Sequence, residues 1–185
     1  MIKRIFDLIF VIFLSPIILI VFFFVYILSS LFNKKEIFFF QFRGGYQRKK
    51  IEIIKFRTME NNTKKISNFN NFLRKTRLDE IPQFFNVLKG DLSIVGPRPL
   101  HYEYKDIYST EQNRRFDVKP GLTGLAQIQN SYEMTWAEQF IIDVWYVDNH
   151  NLFLDLKIII KTVFVIIKST GKKEHKDKNK FNGSN

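Results

Sequence analysis

Cysteine is absent from the 185 residues of this chain. Its absence excludes disulfide bonds, thiolate metal sites and cysteine nucleophiles. Histidine is scarce, and the three present, His101, His150 and His175, are not spaced like the ligands of a metal motif. A histidine-based metal centre is therefore not expected.

Acidic residues are too few to balance the basic ones: 18 Asp and Glu face 29 Lys and Arg, which gives a formal net charge of +11. This excess indicates a polyanionic partner, such as nucleic acid, anionic lipid or a phosphorylated substrate. Many of the 21 phenylalanines lie near the N-terminus, which favours lipid over stacking on nucleic-acid bases. The length suits one domain with a hydrophobic core.

A segment near the N-terminus, residues 8–32, carries no charge and is mostly apolar, over a length sufficient to span a bilayer. It is too long for a cleaved signal peptide, and no small-residue cleavage site follows it. It forms either a membrane-spanning anchor or a re-entrant helix that enters and leaves by the same face. Basic residues flank both ends, Lys3 and Arg4 before the segment and Lys34 and Lys35 after it, which favours two cytoplasmic ends.

Pro16 follows Ser15 in the middle of the segment, where it removes a helical hydrogen bond and kinks the helix. Proline is also common in membrane-spanning helices, so the residues alone leave both interpretations open. In either case we expect the soluble part on the cytoplasmic side. We divide the chain into a membrane helix (1–36), a cytoplasmic domain (37–170) and a disordered basic tail (171–185).

The domain is predicted to be α+β and to begin with a β-hairpin. Residues 37–42 and 50–57 form its arms, and Gly44 and Gly45 begin its turn. The further expected elements are a mobile loop (60–72), a helix from Asp79 to Gly90, a short extended piece and rigid turn (93–99), a charged helix (102–117), a glycine-punctuated loop (119–128) and a helix (136–146).

Residues 152–168 are predicted to form an amphipathic helix, because Lys157, Lys161 and Lys168 fall on one helical face among apolar residues. A core helix with one solvated stripe would show the same pattern. Because the chain also has an apolar membrane segment, we favour a helix that lies in the membrane interface.

Two adjacent carboxylates, Asp79 and Glu80, stand just before a helix that must begin near Pro82, since proline is tolerated only in the first turn. The helix dipole, together with Arg74 and Arg77, should lower their pKa values and keep them ionised. Such a carboxylate is a poor general acid at neutral pH, but it suits attack on phosphorus or binding of Mg²⁺. A simple helix cap is the alternative, and it is the more common role of acids at this place.

Cationic side chains surround this pair in the sequence. Lys55 and Arg57 end the predicted hairpin, and Arg98 stands between Pro97 and Pro99. The proline rings restrict the backbone, so the Arg98 guanidinium is presented to a diphosphate with little loss of entropy. Each cation alone is compatible with a surface salt bridge, but together they indicate a site for two anionic groups.

Blocks of residues along nearly the whole chain resemble the family of small bacterial sugar transferases, the monotopic polyprenyl-phosphate phosphoglycosyl transferases. The long central block is the most specific of them. The closing KFNGSN resembles the tail of the family member that initiates protein N-glycosylation in Campylobacter. The matching blocks are KRIFDLI, SPIILI, QFRGG, KFRTM, LDEIPQFFNVLKGDLSIVGPRPL, VKPGLTGLAQI, DVWYVDN and LDLKIIIKT.

The resemblance implies that a phospho-sugar passes from a UDP-sugar to undecaprenyl phosphate, with release of UMP and a requirement for Mg²⁺. It implies that Asp79 attacks the β-phosphate to form a covalent intermediate. Glu80 would help to hold Mg²⁺ or the nucleophile, so both carboxylates are candidate metal ligands. The residues expected to bind substrate or phosphate are Lys55, Arg57, Arg77, Pro97, Arg98, Pro99 and Asp143.

The resemblance also matches Ser15-Pro16 to the kink of a re-entrant membrane helix. It implies a small α/β catalytic domain with interfacial helices on the cytoplasmic face of the bacterial inner membrane, with downstream glycosyltransferases as further partners. After GLAQI the family often has Asn-Gly-Arg, whereas this chain has Gln129, Asn130, Ser131 and Tyr132, with no arginine. The sugar therefore stays open between an N-acetylated hexosamine derivative and a hexose such as galactose or glucose.

Two other hypotheses are compatible with the sequence. A non-catalytic membrane adaptor would use the basic charge to bind anionic lipid or nucleic acid, without any dependence on Asp79 or Glu80. A lipid diphosphatase would use the same nucleophile and pass the phosphoryl group to water. The transferase hypothesis requires no nucleic acid.

Overall fold

The structure, a computed structural model, describes residues 2–32, 36–59, 66–129, 134–169 and 180–183. The mixture of helices and strands in these residues confirms the predicted α+β class. The elements are α1 Ile2–Phe32, β1 Phe38–Gly44, β2 Lys50–Phe56, α2 Asn68–Lys75, α3 Gln83–Lys89, β3 Ser93–Val95, α4 Thr110–Asn113, β4 Gly121–Thr123, α5 Leu125–Gln129, α6 Trp136–Asn149 and α7 Leu152–Ser169.

The predicted hairpin is confirmed: β1 and β2 pair antiparallel, from Phe38 opposite Phe56 to Gly44 opposite Lys50. Alternating side chains of β2 face the core, as the period of a half-buried strand requires. The end of β2 thereby carries Lys55 towards the centre of the domain.

A second, two-stranded sheet was not predicted. Strand β3, which the sequence predicted as a short extended piece, pairs in parallel with β4, with Ser93 opposite Gly121. Strand β4 and most of the helix α5 that follows it lie within residues 119–128, which were expected to form a loop. The two backbones approach so closely that a Cβ atom on Gly121 would lie 2.1 Å from the nitrogen of Gly96. Glycine is therefore required where the two segments meet.

The beginning of α1 is fixed to the domain by polar contacts. The buried Asp7 carboxylate accepts hydrogen bonds from the Ser93 hydroxyl and the Ile94 N–H, both at 3.0 Å. Arg4 donates to the Leu88 carbonyl at 2.7 Å, a favourable place for a cation because it lies at the C-terminal end of α3. These residues therefore serve folding as well as membrane orientation.

The far end of α1 contacts the same domain. Phe22 packs against Phe56, with ring centroids 5.4 Å apart, and Phe32 stacks on Phe69 at 4.9 Å. Among the described residues, α1 is the one helix long and apolar enough to cross a membrane. Both ends of α1 therefore contact the same domain.

The α1 helix continues through Pro16, and the hydroxyl of Ser15 donates to the Ile12 carbonyl at 2.7 Å. The kink at Ser15-Pro16 and the re-entrant path stay predictions. Lys34 and Lys35 lie outside the described residues.

Three expected elements differ from the structure. Of the predicted loop over 60–72, residues 60–65 lie outside the described residues. The remainder contains the start of α2, which Ser67 caps by accepting from the Asn70 N–H at 3.1 Å. The helix expected over 102–117 is divided, because Ser109 forms a capping box with Gln112 and so starts the new helix α4. The helix expected from Asp79 begins at Gln83 as α3 and ends at Gly90, whose φ is +95°.

The two long C-terminal helices are confirmed as α6 and α7. Phe181 differs from the expectation of a disordered tail, since it is buried against Tyr108 and Phe140, with ring centroids 5.4 and 5.0 Å away. Residues 170–179 lie outside the described residues. The C-terminus is therefore attached to the domain at Phe181.

We expect Asp7→Ala to lower the free energy of unfolding by about 2 kcal/mol, because it leaves the Ser93 hydroxyl and the Ile94 N–H buried without an acceptor. Chemical unfolding in detergent micelles measures this loss. Ser30→Ala is the matched control on α1, because the Ser30 hydroxyl bonds only to its own helix at Ile27 in the described structure, and should change the value by less than about 0.5 kcal/mol. Equal effects of the two substitutions would contradict the assignment.

Candidate active site

A strained residue precedes the carboxylate pair. Arg77 has a φ of +60°, a left-handed conformation that costs a non-glycine residue of the order of 1 kcal/mol or more. The chain then forms a single 3₁₀ turn, Leu78–Glu80, ahead of α3. The turn places both carboxylates just before the helix, as expected, and points them into the domain.

Asp79 is buried, at 8% exposure, and its Oδ1 atom has no hydrogen-bond partner among the described residues. Burial and the negative charge of Glu80 raise the pKa of Asp79 to about 6, even though Lys55 and Arg77 act to lower it. The expectation of a lowered pKa is wrong for this residue, because desolvation outweighs the nearby positive charges.

Glu80 has the opposite environment. Its Oε1 atom lies 2.6 Å from Lys55 Nζ, 3.6 Å from Arg98 Nη2 and 3.7 Å from Arg77 Nη1. Although burial alone would raise its pKa, Lys55 and Arg98 hold the pKa of Glu80 well below the usual range. Glu80 is thus a permanent anion that holds three cations beside Asp79.

A polar pocket opens beside Glu80, and two residues that the sequence analysis missed belong to it. The Arg43 guanidinium is largely buried, and burial and Arg98 lower its pKa to about 10. The Gln83 amide is buried, and its Nε2 has no hydrogen-bond partner in the described structure. The pocket lining comprises Arg43, Ile53, Lys55, Glu80, Gln83, Arg98, Pro99, Gly121 and Leu122.

The charges around this pocket favour a dianion. Four cationic side chains, Arg43, Lys55, Arg77 and Arg98, surround the two carboxylates. Burial and Arg98 lower the pKa of Lys55, although Glu80 acts to raise it. By formal charge, the four cations outnumber the two carboxylates, so some repulsion among them remains. A doubly charged phosphate group would relieve this repulsion.

The predicted phosphate binders do not all reach the pocket. Pro99 lines it, whereas the Pro97 carbonyl accepts from the Gly121 N–H at 3.0 Å and so fixes the turn to β4. Arg57 is directed to the base of the hairpin, where it pairs with Glu36 and donates to the Phe38 carbonyl at 3.3 Å. Arg57 is therefore outside the pocket lining.

Asp143 is also outside the pocket, and it acts through a residue the sequence analysis missed. Its carboxylate pairs with Arg115 at 2.8 Å, and both side chains are almost completely buried. The same guanidinium nitrogen of Arg115 donates to the Arg98 carbonyl at 2.7 Å. Asp143 therefore positions Arg98 indirectly, and nothing in the sequence marked Arg115 as its partner.

The described residues contain no cluster of three or more acidic or histidine side chains that could hold a metal ion. The carboxylate pair is nevertheless compatible with Mg²⁺, which proteins often bind through one or two carboxylates together with substrate phosphates. The unpartnered Oδ1 of Asp79 is the available oxygen. Glu80 already faces three cations, so it is the more crowded of the two ligands.

In a comparison with known families, the bacterial sugar transferase model matches residues 1–169 of this chain. An uncharacterized sugar transferase of Bacillus subtilis, EpsL, is 41% identical over 98% of this chain and 96% of its own length. The similarity therefore extends over the membrane segment as well as the pocket.

Two other relatives have names that state a reaction. The undecaprenyl-phosphate galactose phosphotransferase of Salmonella typhimurium is 40% identical over 60% of this chain and 23% of its own length. The UDP-glucose:undecaprenyl-phosphate glucose-1-phosphate transferase of Klebsiella pneumoniae is 39% identical over 71% of this chain and 33% of its own length. The chain thus spans a third or less of these two proteins.

We expect Asp143→Ala to destabilise the protein by about 3–5 kcal/mol, because it leaves the buried Arg115 charge without its partner. Asp148→Ala is a matched control on α6, since Asp148 pairs with Arg114 at the exposed surface, where an ion pair contributes little. Urea unfolding in detergent measures both. Asp143→Asn, which keeps an oxygen for Arg115, should recover part of the loss; a similar small effect of all three would contradict the assignment.

Proposed function

The chain belongs to the bacterial sugar transferase family, and we propose that it transfers a phospho-sugar from a UDP-sugar to undecaprenyl phosphate. The products would be UMP and an undecaprenyl-diphosphate-sugar. The observation that carries the proposal is the buried Asp79, whose unpartnered oxygen lies beside a pocket of excess positive charge. Relatives named for this reaction support it.

In the first step, an Asp79 oxygen attacks the β-phosphorus of the UDP-sugar. The new bond joins Asp79 to the phospho-sugar, the bond between the β-phosphorus and the bridging oxygen breaks, and UMP departs with that oxygen. Asp79 suits this role because burial removes the water that would otherwise stabilise its charge. Lys55 and Arg98 are placed to neutralise the charge that develops on the phosphate oxygens.

In the second step, a phosphate oxygen of undecaprenyl phosphate attacks the same phosphorus. The acyl-phosphate bond breaks and Asp79 returns to its carboxylate form, so atoms and charges balance over the cycle. Glu80 stays ionised throughout, because its pKa lies well below the usual range. Its role is to hold Lys55, Arg77 and Arg98 in place between the two steps.

We further propose that Mg²⁺ binds at Asp79 and Glu80 together with the diphosphate of the donor. The bound ion would supply positive charge to the leaving UMP phosphate. The unpartnered oxygen of Asp79 supports this placement.

The proposed location follows from the chemistry of the two substrates. The acceptor stays in a bilayer, while the nucleotide sugar is soluble, so the pocket must lie at a membrane surface. Helix α1 meets the domain at both ends and exposes apolar side chains between them, including Phe13, Ile17 and Ile20. We place the domain on the cytoplasmic face of the bacterial inner membrane, where UDP-sugars are made.

The donor sugar is chosen by parts of the chain beyond the phosphate pocket. The residues that replace the family's Asn-Gly-Arg include Asn130, Ser131 and Tyr132, which lie outside the described residues. The names of relatives mention galactose, glucose and N-acetylgalactosamine. A donor panel should therefore contain these three UDP-sugars and an N-acetylated hexosamine derivative, the class to which the tail resemblance points.

Membership of a transferase family gives no support to the non-catalytic adaptor. The diphosphatase hypothesis differs only in the second step, where water would replace the lipid phosphate. Release of free sugar phosphate in the absence of lipid acceptor would distinguish that enzyme from the transferase.

We expect Asp79→Asn to reduce UMP release by about 10⁴-fold or more, because the amide oxygen is a poor nucleophile towards phosphorus. The assay contains protein in nanodiscs, Mg²⁺, undecaprenyl phosphate and each donor of the panel. Trapping of a sugar-phosphate adduct on the wild-type chain, and its absence in the variant, tests the covalent step. Asp148→Asn is the surface control, and near-normal release by Asp79→Asn would refute the mechanism.

At subsaturating UDP-sugar and Mg²⁺, where the rate reports the free enzyme, adduct formation should show an acidic limb near pH 6, the pKa of metal-free Asp79. Below that pH the carboxyl binds a proton and loses its nucleophilicity, so the single-turnover rate should fall about tenfold per pH unit. Above it the rate should level off, since Glu80 is already ionised. A limb near pH 4 would show that burial does not raise the pKa of Asp79.

A further inference from the structure

A second cavity, larger and mostly apolar, lies next to the polar pocket. Its volume is about 310 Å³, at the lower end of the range of small-molecule sites. The two cavities share Glu80 and Leu122 in their linings. We call it the apolar groove, and its main apolar lining is Phe10, Ile81, Phe84, Ile128, Ile159 and Val163.

The ends of the apolar groove differ in polarity. Glu80 is shared with the polar pocket, and Arg77, 3.7 Å from Glu80, therefore lies at that end. The rest of the lining is mostly aliphatic, with Thr76, Thr123, Gln127 and Thr162 as its polar members. A cation at one end and aliphatic side chains at the other match an amphiphile with an anionic head and a hydrocarbon tail.

Helix α7 connects the apolar groove to the outside of the domain. Ile159, Thr162 and Ile166 recur at helical spacing on its groove side. A second face of α7 exposes apolar side chains. The predicted lysine face is exposed beside it and comprises Lys157, Lys161 and Lys168. The exposed apolar face comprises Phe153, Leu156, Ile160, Phe164 and Ile167.

Val163 lies at the border between these two faces of α7. Val163 is four residues after Ile159, which faces the groove, and three residues after Ile160, which faces outward. Its side chain lines the groove and is 53% exposed. The groove therefore opens towards the same side as the exposed apolar face of α7. A hydrocarbon chain that entered the groove past Val163 would come from the side of this exposed apolar face.

We propose that the apolar groove binds the first isoprene units of the polyprenyl phosphate acceptor, next to its phosphate, while the rest of the chain stays in the bilayer. This inference rests on the proposed function for the identity of the lipid. The phosphate lies at the Arg77 end, close to the phospho-sugar on Asp79. The groove thus aligns the attacking oxygen and keeps the acceptor apart from the donor's polar pocket.

The test compares Val163→Trp, which fills the groove, with Ile160→Trp, which places the same side chain on the exposed apolar face. Val163 is half exposed, so the larger ring does not overpack the core. We expect Val163→Trp to raise the KM for undecaprenyl phosphate by about tenfold or more, and Ile160→Trp to change it by less than about twofold. Acceptor-free adduct formation from the UDP-sugar should be unchanged in both.

Equal responses of the two variants, or loss of acceptor-free adduct formation in Val163→Trp alone, would overturn the proposal. A short prenyl phosphate with a photoreactive group near the phosphate provides a readout that does not require turnover. It should label peptides that contain residues 76–84 and 159–166, and undecaprenyl phosphate should compete with it.

The photolabelling result distinguishes failure of the groove proposal from failure of the proposed transferase function. Labelling of the groove in a protein that uses no UDP-sugar would leave the lipid site standing and refute the transferase function. Labelling confined to the middle of α1 and the exposed face of α7, in a protein that transfers sugar phosphate, would refute the groove alone.

Discussion

The ionised carboxylate of Glu80 is the interaction on which the rest of the site depends. It brings together cations from three separate segments: Lys55 at the end of the hairpin, Arg77 in a strained turn and Arg98 between two prolines. A buried anion is costly unless it is paired, and here the pairing also gathers the groups that a diphosphate needs. The same negative charge, together with burial, raises the pKa of the neighbouring Asp79. One residue therefore assembles the cations and raises the pKa of Asp79, the proposed nucleophile.

The site was predictable from the sequence where its residues are adjacent along the chain. The Asp79-Glu80 pair, the hairpin that carries Lys55 and the Pro-Arg-Pro turn all follow from local patterns. The opposite pKa shifts of the two carboxylates did not follow, because burial is a property of the fold. Nor did Arg115, whose contacts with Asp143 and Arg98 are separated by 28 and 17 residues. The parallel pairing of β3 and β4 was also missed, because strands of three residues have little periodicity to detect.

The charged residues at the start of α1 show a second limit of sequence patterns. Lys3 and Arg4 were interpreted as flanking charges that set membrane orientation. In the fold, Lys3 pairs with the buried Asp155 of α7, and Asp7 bonds to β3. These contacts join the apolar helix to both sides of the domain core before any lipid is considered. If α1 lies in a bilayer, as proposed, a helix held in this way keeps the active site at the membrane surface.

A position at the membrane surface would explain why two cavities of different polarity meet at Glu80. A soluble donor with two phosphates needs a pocket of fixed positive charge. The polar pocket lies on the hairpin side of the domain, where Arg43 and Lys55 line it. The proposed lipid acceptor needs an apolar path, and Phe10 of α1 and the groove side of α7 supply apolar lining for it. If the covalent intermediate forms on Asp79, the two substrates never have to occupy the site together. Each cavity can then be selective for its own substrate, and only the phosphorus atom has to be reached from both.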